Sequence, residues 1–150
     1  MQKILIVEDE KAISGVLQSI LSEELTEYEF LVAEDGLEGY KQIEKEDFSL
    51  IISDIKMPKL SGTELLKQSL TLKPESTFIM ISGHADIDSA VACLRDGAYD
   101  FISKPIDINR LITSVKNALA KETLKKENKT LQTENKTLKK KVNKKYQMIG

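Results

Sequence analysis

The chain has 150 residues, of which 41% are hydrophobic and 31% are charged, and this composition suits one globular domain with an appendage. Its single cysteine, Cys93, excludes an internal disulfide framework, and the apolar residues around it predict a buried thiol. No apolar run reaches the ~18 residues of a membrane span, and the first residues enter a strand pattern directly. We therefore expect a cytoplasmic protein with no signal peptide and no membrane partner.

The charge is divided unevenly along the chain. Residues 1–120 contain 12 Lys+Arg and 21 Asp+Glu, a balance of −9, whereas residues 121–150 contain 10 Lys+Arg and 3 Asp+Glu, a balance of +7. An acidic domain followed by a basic tail indicates two units with different roles. We place the boundary between them at residue 120.

Apolar runs alternate with stretches of helical periodicity from the first residues onward. The predicted strands are Lys3–Val7, Glu29–Ala33, Leu50–Ser53, Thr77–Ser82 and Tyr99–Ile102. The predicted helices are Ala12–Leu25, Gly36–Glu46, Thr63–Leu72, Asp86–Asp96 and one from about Ile108. Five such strand–helix units predict an α/β fold, a doubly wound five-stranded parallel sheet of flavodoxin-like order 2-1-3-4-5.

Local signals support several of these helices. In the first helix we expect one apolar face, formed by Ile13, Val16, Leu17, Ile20 and Leu21. Ser61 or Thr63 is a plausible N-cap of the third helix, and Asp107 of the last. Gly97 should end the fourth helix.

The tail has a seven-residue repeat. Leu124, Leu131 and Leu138 occupy heptad position d, which places Asn128, Asn135 and Val142 at position a. This pattern predicts that the last helix extends as a two-stranded coiled coil, with asparagines that fix its register. A single exposed, lysine-rich helix is the alternative.

Charged residues follow the predicted strands where those strands end. Glu8 and Asp9 follow the first strand, Asp54 follows the third and Lys104 follows the fifth. Because the carboxyl ends of parallel strands share one edge of a sheet, these residues should form one site. Crowded carboxylates indicate a divalent cation, and the lysine indicates a phosphate.

Residues 1–120 resemble the receiver domain of a two-component response regulator. The resemblance is carried by the pair Glu8–Asp9, by Asp54 with Met57–Pro58 and Gly62, by Ser82, by Phe101 and by Lys104–Pro105. It implies that Asp54 accepts a phosphoryl group from a sensor histidine kinase, assisted by Ser82 and Lys104, and that Phe101 is a switch residue. It also implies a Mg²⁺ ion, held by Asp9, Asp54, the backbone carbonyl of Lys56 and, through water, Glu8.

Such a domain is a signalling switch and not an enzyme, since it catalyses only its own phosphorylation and dephosphorylation. One departure from the family pattern is Glu8, where an aspartate is more usual. The one histidine, His84, is expected in an exposed loop without a catalytic role.

Two segments resemble a subclass of receivers. Residues 81–85 and 97–102 are similar to those of nitrogen-regulator-type sigma-54 activators, in which a helical linker leads to an AAA+ ATPase and a DNA-binding domain. No Walker A loop or helix-turn-helix is found here. We therefore expect an N-terminal fragment that regulates transcription through a missing output domain and dimerises through residues 108–145. A stand-alone dimeric receiver acting through protein–protein contacts is the alternative.

Three other classes of protein compete with this interpretation. A haloacid-dehalogenase-like phosphatase needs a second aspartate two residues after Asp54, where this chain has Lys56. A flavodoxin-like cofactor binder needs a phosphate loop where the chain has the acidic residues 8–10. A zipper-type DNA binder would use the basic run 139–145, but this run follows the zipper instead of preceding it, so no specific nucleic-acid contact is expected.

Overall fold

A computed structural model describes residues 2–124 of the chain, apart from the side chain of His84. The strands are β1 (Gln2–Val7), β2 (Tyr28–Ala33), β3 (Leu50–Asp54), β4 (Phe78–Ser82) and β5 (Asp100–Ser103). The helices are α1 (Lys11–Glu24), α2 (Gly36–Lys45), α3 (Gly62–Leu72), α4 (Ile87–Asp96) and α5, which is helical over residues 108–124. A short 3₁₀ turn, His84–Asp86, precedes α4. Every predicted strand and helix of the receiver is therefore present.

The five strands form one parallel sheet. Its order is β2-β1-β3-β4-β5, as predicted, so β3 is the middle strand. Strand β2 is added on one side of β1 and strands β3 to β5 on the other, which makes the gap between β1 and β3 the point where the winding of the sheet reverses. Leu5 pairs with Ile51, and Ile52 pairs with Ile79. The fold class is confirmed as a doubly wound, flavodoxin-like α/β sheet.

Successive residues of each strand enter opposite cores, because side chains alternate across a sheet. Ile4 and Ile6 of β1 pack with α1 and α5, whereas Leu5 and Val7 pack with α2, α3 and α4. The central strands β3 and β4 are buried along their whole length. This explains their continuous apolar sequence. Polar residues begin where the strands end, and because all strands are parallel these ends lie at one edge of the sheet.

The predicted apolar face of α1 is wrong at one position. Val16 is 57% exposed, while the buried residues of the helix are Ser14, Leu17 and Leu21. Adjacent helical residues are separated by about 100°, so Val16 cannot share the buried direction of Leu17. Ser14 lies three residues before Leu17 and shares its direction. Its burial is tolerated because its hydroxyl donates to the carbonyl of Lys11 at 3.2 Å.

Three predicted helix caps are confirmed, with Ser61 and not Thr63 as the N-cap of α3, although several helix bounds differ from the predicted ones by one residue. Ser61 caps α3, since its hydroxyl accepts a hydrogen bond from the Glu64 N–H at 3.3 Å. Asp107 caps α5 through the Arg110 N–H at 3.2 Å. Gly97 ends α4 with a φ of 119°, a left-handed conformation that a side chain would disfavour.

By its internal contacts the chain divides into two units, Met1–Leu119 and Ala120–Gly150. The predicted coiled coil lies mostly beyond residue 124, outside the described residues, and its leucines Leu131 and Leu138 are among those not described. Within residues 2–124 no helix is long and apolar enough to cross a membrane. Cys93 is fully buried, as predicted.

Candidate functional site

The predicted site residues lie where the strands end. Glu8 and Asp9 directly follow β1, Asp54 is the last residue of β3, Ser82 is the last of β4, and Lys104 directly follows β5. All five strands run in the same direction, so these ends share one edge of the sheet. This edge also contains the topological switch point between β1 and β3, where open α/β sheets bind ligands.

Asp54 is buried, with 5% of its surface exposed, and both oxygens of its carboxylate are engaged. The Ile55 N–H donates to Oδ1 at 2.8 Å, and the Lys104 ammonium donates to Oδ2 at 3.1 Å. The backbone contact holds the carboxylate in one orientation. The ammonium places a positive charge beside the second oxygen.

Three carboxylates converge beside this lysine. Each of Glu8, Asp9 and Asp54 has an oxygen within 4.8 Å of the others, Glu8 and Asp54 being buried and Asp9 exposed. Burial and the nearby charge of Asp54 raise the pKa of Glu8 to about 8. The Glu10 N–H donates to Glu8 Oε2 at 3.2 Å, but Glu8 Oε1 is buried and has no hydrogen bond within the described part of the chain.

This donor set fits a divalent cation such as Mg²⁺. Carboxylate oxygens are the hard ligands that Mg²⁺ prefers, and a cation there would relieve the repulsion that raises the pKa of Glu8. Glu8 Oε1 supports this fit, because among the described residues it has no hydrogen bond and its charged neighbour is the Lys104 ammonium at 3.7 Å, whereas buried polar atoms are normally hydrogen-bonded. Only Asp9 of the three is exposed, which leaves the cluster open to solvent on one side.

Lys104 is the cation of the site. Burial lowers its pKa, but the hydrogen bond to Asp54 and the charges of Asp54 and Glu8 outweigh burial, so that the pKa lies above its usual value. The Lys104 ammonium lies 3.7 Å from Glu8 Oε1. The side chain therefore remains a full positive charge that two carboxylates share.

Ser82 contributes an unused hydroxyl. Its Oγ is buried and has no hydrogen-bond partner among the described residues, and the residue has no exposed surface. Its backbone carbonyl accepts the Lys104 N–H at 2.7 Å, which joins the end of β4 to the residue after β5. A buried hydroxyl without a partner is costly, and a ligand oxygen at this edge would satisfy it.

The loop after β3 explains the predicted Gly62. The Gly62 N–H donates to the carbonyl of Ile55 at 2.7 Å, and a Cβ on Gly62 would lie 2.0 Å from the carbonyl oxygen of Asp54. Lys59, with a φ of 69°, forms a tight turn in which the Leu60 N–H donates to the Pro58 carbonyl at 2.7 Å. The loop therefore returns directly against the residue that carries the candidate nucleophile.

Three other residues named in the sequence analysis are not among the clustered carboxylates. Phe101 is partly buried and packs against the core beneath α2, α3 and α4. Lys56 follows Asp54 by two residues, and its predicted role as a metal ligand concerns its backbone carbonyl. Its side chain is 75% exposed and pairs with Asp86 at 3.4 Å. His84 lies in the 3₁₀ turn after β4, and the prediction for its side chain concerns atoms outside the described part of the chain.

Sequence reasoning missed two acidic residues near the site. Asp86, a buried residue of the 3₁₀ turn, binds Lys56, and Asp35 caps α2 while its carboxylate lies 3.5 Å from the Lys59 ammonium. The hydrogen bond from the Glu38 N–H keeps the pKa of Asp35 below its ordinary value. The only signal for Asp35 was its position before a helix, and Asp86 was taken for the first residue of α4.

Comparison with known proteins agrees with this geometry. The response regulator receiver domain family matches residues 4–116. The C4-dicarboxylate transport transcriptional regulatory protein DctD of Rhizobium meliloti is 35% identical over 129 residues, which cover 85% of this chain and 27% of DctD. The nitrogen assimilation regulatory protein NtrX of Azorhizobium caulinodans is 40% identical over 126 residues, 83% of this chain and 27% of NtrX.

The chain thus spans about a quarter of the length of these curated relatives. Among solved structures, a response regulator receiver domain protein from Clostridium thermocellum is similar with a TM-score of 0.76 and 30% identity, over 83% of this chain and 98% of that one. The predicted family is confirmed, and the relatives include a nitrogen assimilation regulator, in agreement with the predicted subclass. On its fold, its site and these matches, the chain belongs to the response regulator receiver domain family.

Proposed function

We propose that this receiver is a phosphorylation-controlled switch and that Asp54 accepts the phosphoryl group. The supporting observation is the contact between a buried carboxylate and an ammonium at a strand end, Lys104 Nζ to Asp54 Oδ2 at 3.1 Å, with the carboxylates of Glu8 and Asp9 beside it. Burial makes such charges act strongly on each other. The arrangement suits a site that gains and loses an anionic group.

In the proposed reaction an oxygen of Asp54 attacks the phosphorus of a phosphohistidine on a sensor histidine kinase. The new P–O bond makes an acyl phosphate as the P–N bond breaks, and the departing imidazole nitrogen keeps the electron pair and takes a proton. The Lys104 ammonium then pairs with the phosphoryl oxygens, which carry the negative charge that the Asp54 carboxylate carried before. The Ser82 hydroxyl, which is buried without a partner, donates to another of these oxygens.

Asp9 and Asp54 would hold a Mg²⁺ ion directly and Glu8 would hold it through water. The family resemblance adds the backbone carbonyl of Lys56 as a further ligand. When bound, the ion supplies positive charge that offsets the repulsion between the carboxylates and the incoming phosphoryl oxygens. The same reaction makes the domain a self-modifying switch and not an enzyme with an external substrate. In Asp54 the Ile55 N–H binds Oδ1 at 2.8 Å, which leaves Oδ2 as the oxygen that would attack.

Labelling with a small phosphodonor tests the assignment. With acetyl phosphate and Mg²⁺, intact mass should show one added phosphoryl group, which hydroxylamine should remove because it cleaves acyl phosphates. Asp54→Asn should abolish labelling, since an amide is not a nucleophile. Asp96→Asn, the same change on an exposed residue of α4, is the matched control. Labelling that persists in Asp54→Asn, or that resists hydroxylamine, would contradict the assignment.

Cation dependence is the second part of the test. EDTA should stop labelling of the wild type, and Asp9→Ala should raise the Mg²⁺ concentration needed for half-maximal labelling. Asp9 is the one exposed carboxylate of the three, so its removal should disturb the fold least. Full labelling in EDTA would show that the reaction needs no metal ion and would contradict the proposed role of Mg²⁺.

We further propose that the domain controls an output unit through a dimer of residues 108–145, as a cytoplasmic transcription regulator of the sigma-54 activator type. The heptad leucines support the dimer, and the first of them, Leu124, is 58% exposed in the single chain. Leu131→Ala with Leu138→Ala should give a monomer in sedimentation while Asp54 labelling is retained. If a truncation at residue 120 dimerises equally well, the dimer interface lies on the receiver and not on the tail.

A further inference from the structure

A polar network outside the site joins β5 to α5. Arg110 of α5 binds the Asp100 carboxylate with both ends of its guanidinium group, Nη1 to Oδ2 at 2.8 Å and Nη2 to Oδ1 at 3.0 Å. The Ser114 hydroxyl, one turn further along α5, donates to Asp100 Oδ2 at 2.7 Å. A forked Arg–carboxylate pair with a third donor is a strong and directional contact, and it fixes both partners.

The same network holds the backbone of Phe101. The Phe101 N–H donates to Asp100 Oδ1 at 2.8 Å, and its carbonyl oxygen accepts from Arg110 Nη2 at 3.1 Å. Both polar groups of this residue are therefore tied to one carboxylate–guanidinium pair. Burial raises the pKa of Asp100, but the hydrogen bonds from Arg110, Ser114 and Phe101 outweigh burial and leave the pKa below its ordinary value.

The network is placed between the candidate phosphorylation site and α5. Lys104, three residues after Phe101, binds Asp54, while its N–H binds the Ser82 carbonyl. On the other side, the Arg110 N–H is capped by Asp107 in the first turn of α5. Beyond that turn α5 is held by the Ser114 hydrogen bond, by an exposed ion pair of Lys116 with Glu24 of α1 at 3.2 Å, and by apolar packing of core residues that are fully or almost fully buried: Leu111, Val115, Ala118 and Leu119.

We propose that Arg110 is a positioning residue that couples Phe101 to α5, so that a displacement of β5 at Phe101 moves the first turns of the helix. The inference rests on the proposed function, because the displacement in question follows phosphorylation of Asp54. Apolar packing alone allows a helix to slide, whereas a forked ion pair that also binds a backbone carbonyl has few alternative geometries. Among the polar contacts of α5, that of Arg110 binds both the Asp100 carboxylate and the Phe101 carbonyl, and this double contact is what would couple the position of Phe101 to the helix.

Amide hydrogen exchange of the full chain tests the coupling, with beryllofluoride and Mg²⁺ as the phosphoryl probe. In the wild type the probe should change exchange across residues 109–119. Arg110→Gln should reduce that probe-induced change by about fivefold, as expected for contacting residues whose coupling is lost. Asp100→Asn should have the same effect. Arg95→Gln, which removes the same charge from an exposed position of α4, should leave the change as in the wild type.

If Arg110 only stabilised the fold, the pattern of hydrogen exchange among the variants would be different. Arg110→Lys keeps the charge but cannot bind the carboxylate and the Phe101 carbonyl together, so it should not rescue the probe-induced change. Asp54 labelling should stay within about threefold of the wild type in each variant, because none of these residues contacts the site. A response across residues 109–119 that persists in Arg110→Gln and Asp100→Asn would overturn the proposal.

A second arm separates this inference from the proposed function. If the wild type neither labels nor responds to beryllofluoride, the proposed function fails, and the coupling is measured without any probe. Phe101→Leu should then change exchange across residues 109–119 in the wild-type background and leave it unchanged in the Arg110→Gln background. Equal effects of Phe101→Leu in the two backgrounds would show that Arg110 carries no coupling.

Discussion

Replacement of Glu8 by glutamine should stabilise the metal-free domain at neutral and alkaline pH. Glu8 is 2% exposed, lies beside Asp54 in the carboxylate cluster and has one oxygen without a hydrogen bond. Its pKa of about 8 means that burial and the charge of Asp54 oppose its ionisation. Glutamine has nearly the same shape and carries no charge, so Glu8→Gln removes the repulsion and preserves the packing.

The sign follows from a comparison of the folded and unfolded states. Unfolded Glu8 loses its proton near its ordinary pKa of 4.5, whereas the folded pKa is about 8. The unfolded chain therefore binds fewer protons between these values, and the free energy of unfolding falls as the pH rises through this range. Each pH unit contributes ~1.4 kcal/mol, which sets a ceiling of ~5 kcal/mol. Rearrangement of Lys104 and entry of water reduce this, and we expect ~2–3 kcal/mol.

Denaturant unfolding in EDTA at pH 5 and pH 8 measures the effect. Wild type should lose more stability than Glu8→Gln between the two conditions, and Mg²⁺ at pH 8 should restore more stability to the wild type than to the variant. Glu23→Gln, the same change on an exposed residue of α1, is the control and should follow the wild type. Parallel pH profiles for wild type and Glu8→Gln would refute the reasoning.

Four further substitutions carry predictions, three of them in residues at or near the site and one, at Gly15, as a contrast. Gly62→Ala should destabilise the domain by ~2 kcal/mol or more in denaturant unfolding, because its Cβ would lie 2.0 Å from the Asp54 carbonyl oxygen. Gly15→Ala, in an open position of α1, should instead stabilise by ~0.5–1 kcal/mol. Asp35→Ala should cost ~1 kcal/mol as a lost helix cap. Since the folded pKa of Asp35 lies below 3.8, the stability difference between wild type and Asp35→Ala, measured by thermal unfolding, should shrink as the pH falls below 3.8 and through the folded pKa. Ser82→Ala should still be labelled at Asp54, at a reduced rate in a time course, because only one donor to the phosphoryl group is lost.

The sheet and its site were predictable from the sequence because burial dictates both. Strands buried on both faces have continuous apolar sequences, so the first polar residue after each run marks a strand end. Parallel order then places these ends at one edge, and in this way Asp54 and Lys104, 50 residues apart, were expected to meet. Asp54 itself is part of β3, one residue further than the predicted strand end.

The contacts that were not predicted depend on side-chain directions that periodicity does not specify. Val16 was placed on the buried face of α1 because it is apolar, but the buried direction is occupied by Ser14, whose hydroxyl is satisfied within its own helix. The network of Asp100, Arg110 and Ser114 joins a strand to a helix through charged residues that a sequence pattern would place in solvent. Such a pair becomes visible only when the register between the two elements is known.

Buried polar atoms without a hydrogen bond are concentrated at the candidate site and not in the rest of the described core. Among the described residues, the buried side-chain atoms without a hydrogen bond are Glu8 Oε1, Ser69 Oγ and Ser82 Oγ. Two of these three lie at the edge where Asp54 ends its strand, beside an acid whose pKa is raised to about 8. Natural folds tolerate such local conflicts at functional sites, where a ligand resolves them. A cation can pair with the glutamate oxygen and a phosphoryl oxygen with the serine hydroxyl, so the same two ligands that complete the reaction would also remove the electrostatic and desolvation costs of this edge.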